Sequence, residues 1–273
     1  MKIPFMKMSG SGNDFILIDH RTPFLDEAGL TGFVQKACRR RVSVGADGLI
    51  LVERSTKADF RWRFFNADGS EAEMCGNGGR CVARFASLKG IAGSSLTFET
   101  LAGILSARVD GKRVKLELTK PFGLKLDEAL VVEGKKEIVS SLNTGVPHAV
   151  VFLEDLEGID IIKTGRNLRY HPHFSPKGTN ADFVRVGKDS RLSVRTYERG
   201  VEDETLACGT GVVASALIAA FKGKVTSPVA VTTRGGEDLL VHYAIEAGEV
   251  KKVFLEGDVH IIYEAEMWEE AYQ

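Results

Sequence analysis

"AEMCGNGGRCVARF" (72–85) and "TLACGTGVVASALIAAF" (205–221) are two versions of one element. In each, a cysteine, Cys75 or Cys208, stands directly before Gly-x-Gly, and a largely apolar, helix-forming run follows. The first turn of a helix has amide N–H groups with no partner inside the helix, and it sits at the positive end of the macrodipole. A thiolate placed there is stabilised, and its pKa falls from about 8.5 toward roughly 3.5–7.5 in favourable settings. Glycines without Cβ atoms let an anion approach the backbone closely. Each copy therefore offers an activated sulfur beside an anion cradle. The plain alternative for either copy alone is a small thiol packed at a glycine-rich helix cap.

The two cysteines are 133 residues apart, and the same offset recurs elsewhere. "GSGNDFILID" (10–19) falls on "NTGVPHAVVF" (143–152), and Gly45 and Asp47 fall on Gly178 and Asn180. "RFFNADGSEAEMCGNG" (63–78) falls on "TYERGVEDETLACGTG" (196–211), and "FETLAGILSARV" (98–109) on "VTTRGGEDLLVH" (231–242). A repeat this long is a duplicated domain, not a solenoid. The halves run 1–120 and 121–258, with the tail 259–273 left over.

Within each half, short runs with β-branched and aromatic alternation predict strands. They are "FILID", "LILVE", "RWRFFN", "SLTFET", "ILSARV" and "RVKLELT", then "HAVVFL", "DFVRVG", "LSVRTYE", "VAVTTR", "DLLVHYA" and "KKVFLEG". The helix after each Cys-Gly element is apolar nearly all round, which predicts burial. The fold class is α/β: two pseudo-symmetric domains, each a curved, mainly antiparallel sheet wrapped around a central helix. A further amphipathic helix, residues 26–41, is expected on the outside.

Composition narrows the function. The chain has 273 residues, a formal net charge of −1 and 44% hydrophobic residues, so no bulk field invites nucleic acid or an anionic membrane. The N-terminus lacks the apolar core of a signal peptide, and the longest apolar run is too short and glycine-rich to span a bilayer. Four cysteines without a CxxC pair predict reduced thiols in a cytoplasmic protein, with neither a disulfide framework nor a structural zinc. Cys38 and Cys81 lie in helical patterns and read as core thiols. "HPHF" (171–174) reads as a surface loop, and "CRRR" (38–41) as a solvated helix end.

Two thiols on similar domains suit inversion at a carbon. If the two helix starts converge on one cleft, one thiolate removes a proton while the opposing thiol donates one from the other face. The cradles hold an α-carboxylate and stabilise charge as the carbanion develops. Serine is too weak a base for this. Nucleophilic attack by a single cysteine asks for a histidine base, for which His148 is the candidate, but leaves the second cysteine without a use. A non-catalytic amino-acid-binding protein needs neither.

"MSGSGNDFILID", "FFNADGSEAEMCGNGGRC", "GTNADFV" and "YERGVEDETLACGTG" resemble the signature segments of the diaminopimelate epimerase family, from residue 6 to at least 215. The resemblance implies a cofactor-independent amino-acid epimerase with its active site in a cleft between the domains and the tail returned to the first domain. It implies no bound cofactor or metal, a small-molecule amino-acid substrate, and a homodimer. It makes Cys75 and Cys208 the acid–base pair. It has Gly76, Asn77, Gly209 and Thr210 hold the carboxylate at the reacting centre. Asn13, Asn66, Asn180 and Arg199 then hold substrate, Glu198 lies near the reacting amine, and His148 assists. One position departs: the family's Gly-Asn-Pro-His reads "TGVPH" here, with Val146 for the asparagine. That leaves a racemase for another amino acid as the alternative.

Overall fold

The computed structural model describes residues 2–273. The chain divides into two compact units, Met1–Glu117 with Gly257–Gln273, and Leu118–Glu256.

In the first unit β1 (Ile3–Gly10) and β2 (Asn13–Asp19) form a hairpin. Its turn residues, Ser11 and Gly12, both have positive φ, at 54° and 86°, as a type I′ turn demands. The chain continues through α1 (Leu30–Ala37), β3 (Gly48–Glu53), β4 (Phe60–Asn66), the short β5 (Glu71–Ala72) and α2 (Gly76–Leu88). It then runs through β6 (Ser95–Thr100), β7 (Gly103–Asp110) and β8 (Arg113–Glu117). The second unit holds β9 (Phe122–Val132), β10 (Lys135–Asn143), β11 (Pro147–Phe152), α3 (Ile161–Arg169), β12 (Asn180–Val186), β13 (Leu192–Glu198) and β14 (Asp203–Thr205). There follow α4 (Gly209–Phe221), β15 (Val229–Thr233), β16 (Asp238–Glu246) and β17 (Glu249–Asp258). The last strand, β18 (His260–Met267), pairs antiparallel with β1.

Strand order in the first unit is β18-β1-β2-β3-β4-β6-β7-β8, with β2–β3 and β4–β6 parallel and the rest antiparallel. The second unit repeats the pattern as β9-β10-β11-β12-β13-β15-β16-β17, with β11–β12 and β13–β15 parallel. The duplication is thus visible in the pairing. It is not perfectly in step: Phe15 pairs with Gly48, but His148 with Asn180, so the 133-residue offset slips by one at the third strand.

Each sheet packs on its long helix. In α4 every residue from Gly211 to Ala219 is buried, as an all-round apolar sequence requires. Val212, Leu217 and Ile218 pack with Val150, Val184 and Val241. Each such side chain contributes about 1.5–3 kcal/mol by leaving water. In α2, Gly79 allows close approach to β8: a Cβ there would lie 2.7 Å from Leu116 Cδ2.

The helix expected over 26–41 is shorter. A 3-10 turn at Glu27–Gly29 leads into α1, which ends at Cys38. Beyond it the chain folds back: the Gly45 and Ala46 amides bond to the Ala37 and Cys38 carbonyls, and Arg41 adopts φ 70°. Leu30, Phe33 and Val34 pack with Ile16 and Leu49 on one face of the sheet, while Phe15 and Ile50 approach Gly78 of α2 on the other. A second outer helix, α3, is present beyond those the sequence pattern predicts. It is started by Asp160, whose carboxylate accepts from the Lys163 amide at 3.0 Å, and it packs through Ile161 and Leu168. No helix among the described residues is long and apolar enough to cross a membrane.

Candidate active site

Both Cys-Gly elements are helix starts. Cys75 is the N-cap of α2, with extended φ/ψ of −147° and 115°, and its sulfur accepts from the Gly78 amide at 3.4 Å. This is the geometry that favours thiolate. Cys208 is the N-cap of α4, at φ −112° and ψ 105°. Its sulfur lies 3.3 Å from Thr210 Oγ1.

Around the first helix start, Asn77 Nδ2 donates to Asn13 Oδ1 at 2.6 Å, and Asn77 Oδ1 accepts from Arg80 Nη2 at 2.7 Å. Arg80 is fully buried and also donates to Ser11 Oγ at 2.5 Å and to the Asp258 carbonyl at 3.3 Å. Asn13 Nδ2 donates to Asp47 Oδ2 at 3.1 Å. The side chains of Asn13 and Asn77 are therefore held in place while the first-turn amides of Gly76 and Asn77 have no partner within their own helix. Asn66 lies apart from this chain of bonds. It is exposed in the β4–β5 turn, with Nδ2 3.1 Å from Ser70 Oγ.

Around the second helix start, His148 is buried on β11. Its Nε2 lies 2.9 Å from Thr210 Oγ1 and its Nδ1 2.7 Å from Asp182 Oδ2. Asp182, with no exposed surface, also accepts from Thr196 Oγ1 at 2.7 Å. Asn180 donates to the Pro147 carbonyl at 3.1 Å, and its Oδ1 accepts from the Arg199 amide at 2.8 Å. Arg199 Nη1 reaches the Lys177 carbonyl at 3.4 Å. Thr144 Oγ1 donates to the Thr210 carbonyl at 3.0 Å, tying the "NTGVPH" loop to the start of α4. Val146 contributes its carbonyl, which accepts from the Thr144 amide at 3.1 Å.

The expectation of a lowered thiol pKa fails for Cys208. Burial pushes it up, the Glu198 and Asp182 carboxylates push it further, and the Thr210 hydroxyl and Gly211 amide only partly offset them. These surroundings favour the thiol form of Cys208. Burial likewise raises the Glu198 carboxyl, while the nearby Thr205 hydroxyl and His148 act against it. Cys81 is buried in α2, and burial raises the Cys38 thiol to about 12, which suits inert core thiols.

Other sequence readings come out as follows. His171, Pro172 and His173 lie on an outer turn, where His173 Nε2 pairs with Glu128 at 3.2 Å. Arg40, expected to be merely solvated, bonds Asp14 at 2.6 Å and Asp47 at 2.8 Å. Asp182, Thr196 and Arg80 stand outside the set of residues that the motifs mark as the site in the sequence. A carboxylate inside the apolar run "NADFVRV" was the available signal, since a buried charge needs partners. Gly211 was another: a Cβ there would lie 2.2 Å from Asp182 Oδ1.

Comparison with known proteins follows the same lines. The family model for diaminopimelate epimerase matches residues 5–121 and 140–262. A diaminopimelate epimerase from Aquifex aeolicus (strain VF5) is 48% identical over 280 residues, covering 98% of this chain and 99% of that protein. One from Archaeoglobus fulgidus is 47% identical over 249 residues, covering 86% and 88%. Among solved structures, a Bacillus anthracis phenazine biosynthesis protein of the PhzF family superposes with a TM-score of 0.75 at 18% identity, covering 98% of this chain and 99% of that one. An Agrobacterium vitis hydroxyproline epimerase with bound trans-4-OH-L-proline gives 0.72 at 14% identity, covering 97% and 92%. These two likenesses show the fold. The duplicated Cys-Gly helix starts, the match across both halves and the end-to-end relatives lead to one conclusion: the chain belongs to the diaminopimelate epimerase family.

Proposed function

We propose that the protein is an isomerase that converts LL-2,6-diaminopimelate to the meso form by a two-base reaction, serving lysine and peptidoglycan precursor synthesis. The observation that carries this reading is the pair of cysteine N-caps, Cys75 and Cys208, one on each unit of a chain belonging to this family. Inversion at Cα needs a base on one side and an acid on the other. Cys75, bonded to a backbone amide, is the thiolate that removes the proton. Cys208, held as a thiol, donates one, and the reverse reaction exchanges the roles. The amides of Gly76, Asn77, Gly209 and Thr210 receive the α-carboxylate and stabilise charge as the carbanion forms. Asn13, Asn66, Asn180 and Arg199 bind the rest of the substrate, Glu198 serves the reacting ammonium, and His148 assists Cys208. A cytoplasmic homodimer is the setting this reading expects. In deuterated water, the purified, reduced protein is expected to place deuterium at the inverted Cα of LL-diaminopimelate. Absence of exchange in folded protein would refute it.

Val146 favours a second reading, a racemase acting on another amino acid by the same chemistry, because valine cannot hydrogen-bond substrate as asparagine does. A panel of amino acids in the same exchange assay separates the two.

A further inference from the structure

The polar side chains around the first helix start form a chain of hydrogen bonds whose two ends are chemically fixed. At one end is Arg80, fully buried in the second turn of α2. A guanidinium only donates, so the Asn77 atom that meets Arg80 Nη2 at 2.7 Å is Oδ1. That turns Asn77 Nδ2 toward Asn13, whose Oδ1 accepts it at 2.6 Å. Asn13 then meets Asp47 with Nδ2, at 3.1 Å, and a carboxylate only accepts. Asp47 also accepts from Arg40 Nη2 at 2.8 Å and from the Asp14 amide at 3.1 Å. A donor-only end and an acceptor-only end thus impose one orientation on both amides. Each amide oxygen already accepts from a donor, and each amide uses one of its two N–H hydrogens inside the chain. What Asn13 and Asn77 offer to a ligand is therefore an N–H, the partner a carboxylate takes.

The fold itself does not ask for this arginine. In the second unit the 133-residue offset sets Val213 in the place of Arg80 and Val146 in the place of Asn13. Val213 is fully buried in an apolar core, and α4 still starts on a cysteine N-cap and runs for 13 residues, as α2 does. A buried guanidinium is unfavourable unless it is bonded, so an apolar side chain is the simpler way to build this helix start. We propose that Arg80 is a positioning residue: by donating to Asn77 it fixes the orientation of the Asn77 and Asn13 amides, so that both present N–H groups to a substrate carboxylate. Arg80 touches no substrate in this scheme. Its bonds to Ser11 Oγ at 2.5 Å and to the Asp258 carbonyl at 3.3 Å brace the guanidinium between the β1–β2 turn and the end of β17. The substrate half of the inference rests on the functional reading given above, whereas the orientation of the amides is a property of the protein alone.

The first measurement therefore needs no substrate. In the 15N-labelled full-length protein, the side-chain NH2 pairs of Asn77 and Asn13 are assigned by their loss in Asn77→Ala and Asn13→Ala, and their exchange with water is timed. Arg80→Met is expected to speed exchange of the Asn77 pair about tenfold or more, because a hydrogen bond to a charged group is lost. The backbone amides of Phe85 and Ala86, further along α2, should stay within about twofold. Asp47→Ala, at the exposed end of the chain, should speed the Asn13 pair and leave the Asn77 pair within about twofold, since Arg80 still holds it. That variant decides the matter if Arg80→Met does not fold. The second measurement is turnover of LL-diaminopimelate. Arg80→Met should raise KM about tenfold with kcat within about threefold, and Arg80→Lys, which keeps a donor-only group in the slot, should recover part of the loss. An Asn77 pair unmoved by Arg80→Met, both pairs freed alike by Asp47→Ala, or a fall in kcat at unchanged KM would overturn the assignment. The expected amide behaviour in a wild type that does not turn over diaminopimelate would sink the functional reading and leave the amide orientation standing.

Discussion

Cys75 and Cys208 occupy the same place in two copies of one fold, yet the side chains packed behind their helix starts differ. Cys75 Sγ accepts a backbone N–H from its own first turn. Cys208 Sγ meets a hydroxyl, backed by a buried histidine and a buried carboxylate. Behind Cys75 the same positions are apolar. The two copies share the frame, with strand order, parallel pairings and helix starts repeated, while the interior under one helix start is apolar and under the other polar. Equal backbone geometry does not impose equal surroundings. That difference suits a reaction in which one thiol must be ionised and the other not.

The largest effect expected from this comparison is on activity. Cys75→Ala and Cys208→Ala should each lower kcat/KM for epimerisation by about 10³-fold or more, since each removes one acid–base group. A variant with near-normal turnover would break the pairing. Next comes the packing beneath the helices. Gly211→Ala would drive a Cβ to 2.2 Å from Asp182 Oδ1, whereas Gly78→Ala meets Ile50 Cδ1 at 3.3 Å. The first should destabilise the protein by about 3 kcal/mol or more and the second by about 1 kcal/mol, measured by denaturant unfolding. Equal losses would contradict the contrast between polar and apolar interiors.

A milder version is available on the outer helices. Gly32 of α1 and Gly165 of α3 are 133 residues apart in matching Thr-Gly pairs. A Cβ on Gly165 would lie 2.4 Å from Tyr197 Cβ, while one on Gly32 meets nothing within 4 Å. Gly165→Ala should destabilise by about 2 kcal/mol, and Gly32→Ala should stabilise by about 0.5–1 kcal/mol. The last effect is electrostatic. Burial raises the Asp14 carboxyl, but hydrogen bonds from Arg40 and Lys7 outweigh it and leave the pKa lowered. A lowered folded-state pKa contributes stability that is present above the unfolded value of about 3.9 and lost as pH falls through the folded one. Asp14→Asn should therefore lose about 1 kcal/mol at pH 7 and flatten the acid limb of stability against pH. An unchanged acid limb would count against that pairing.

Much of this was legible in the sequence, for identifiable reasons. The twelve short strand runs carried alternation or β-branched density, and all correspond to strands. β1 went unread because "IPFMKMSG" is buried on both faces and so shows no alternation. The β9–β10 hairpin is hard to read because β9 is largely exposed and β10 opens on the charged, mostly exposed run Lys135–Glu137. α3 was hidden by Gly165, a glycine that the contact with Tyr197 requires, although the repeated Thr-Gly pair marked it. Both helix starts were legible because cysteine before Gly-x-Gly is unusual and was seen twice. The polar interior under α4 was not, because Asp182 and His148 lie 34 residues apart in sequence and meet only through the parallel pairing of β11 and β12.

The most direct measurement follows deuterium and configuration together. LL-diaminopimelate is incubated in deuterated water with the wild type, Cys75→Ala and Cys208→Ala, and the product is resolved by stereoisomer and mass. The wild type should yield meso product carrying one deuterium at the inverted carbon, and neither variant should yield it at a comparable rate. Inversion that survives in either variant at the wild-type rate would contradict the two-thiol reaction.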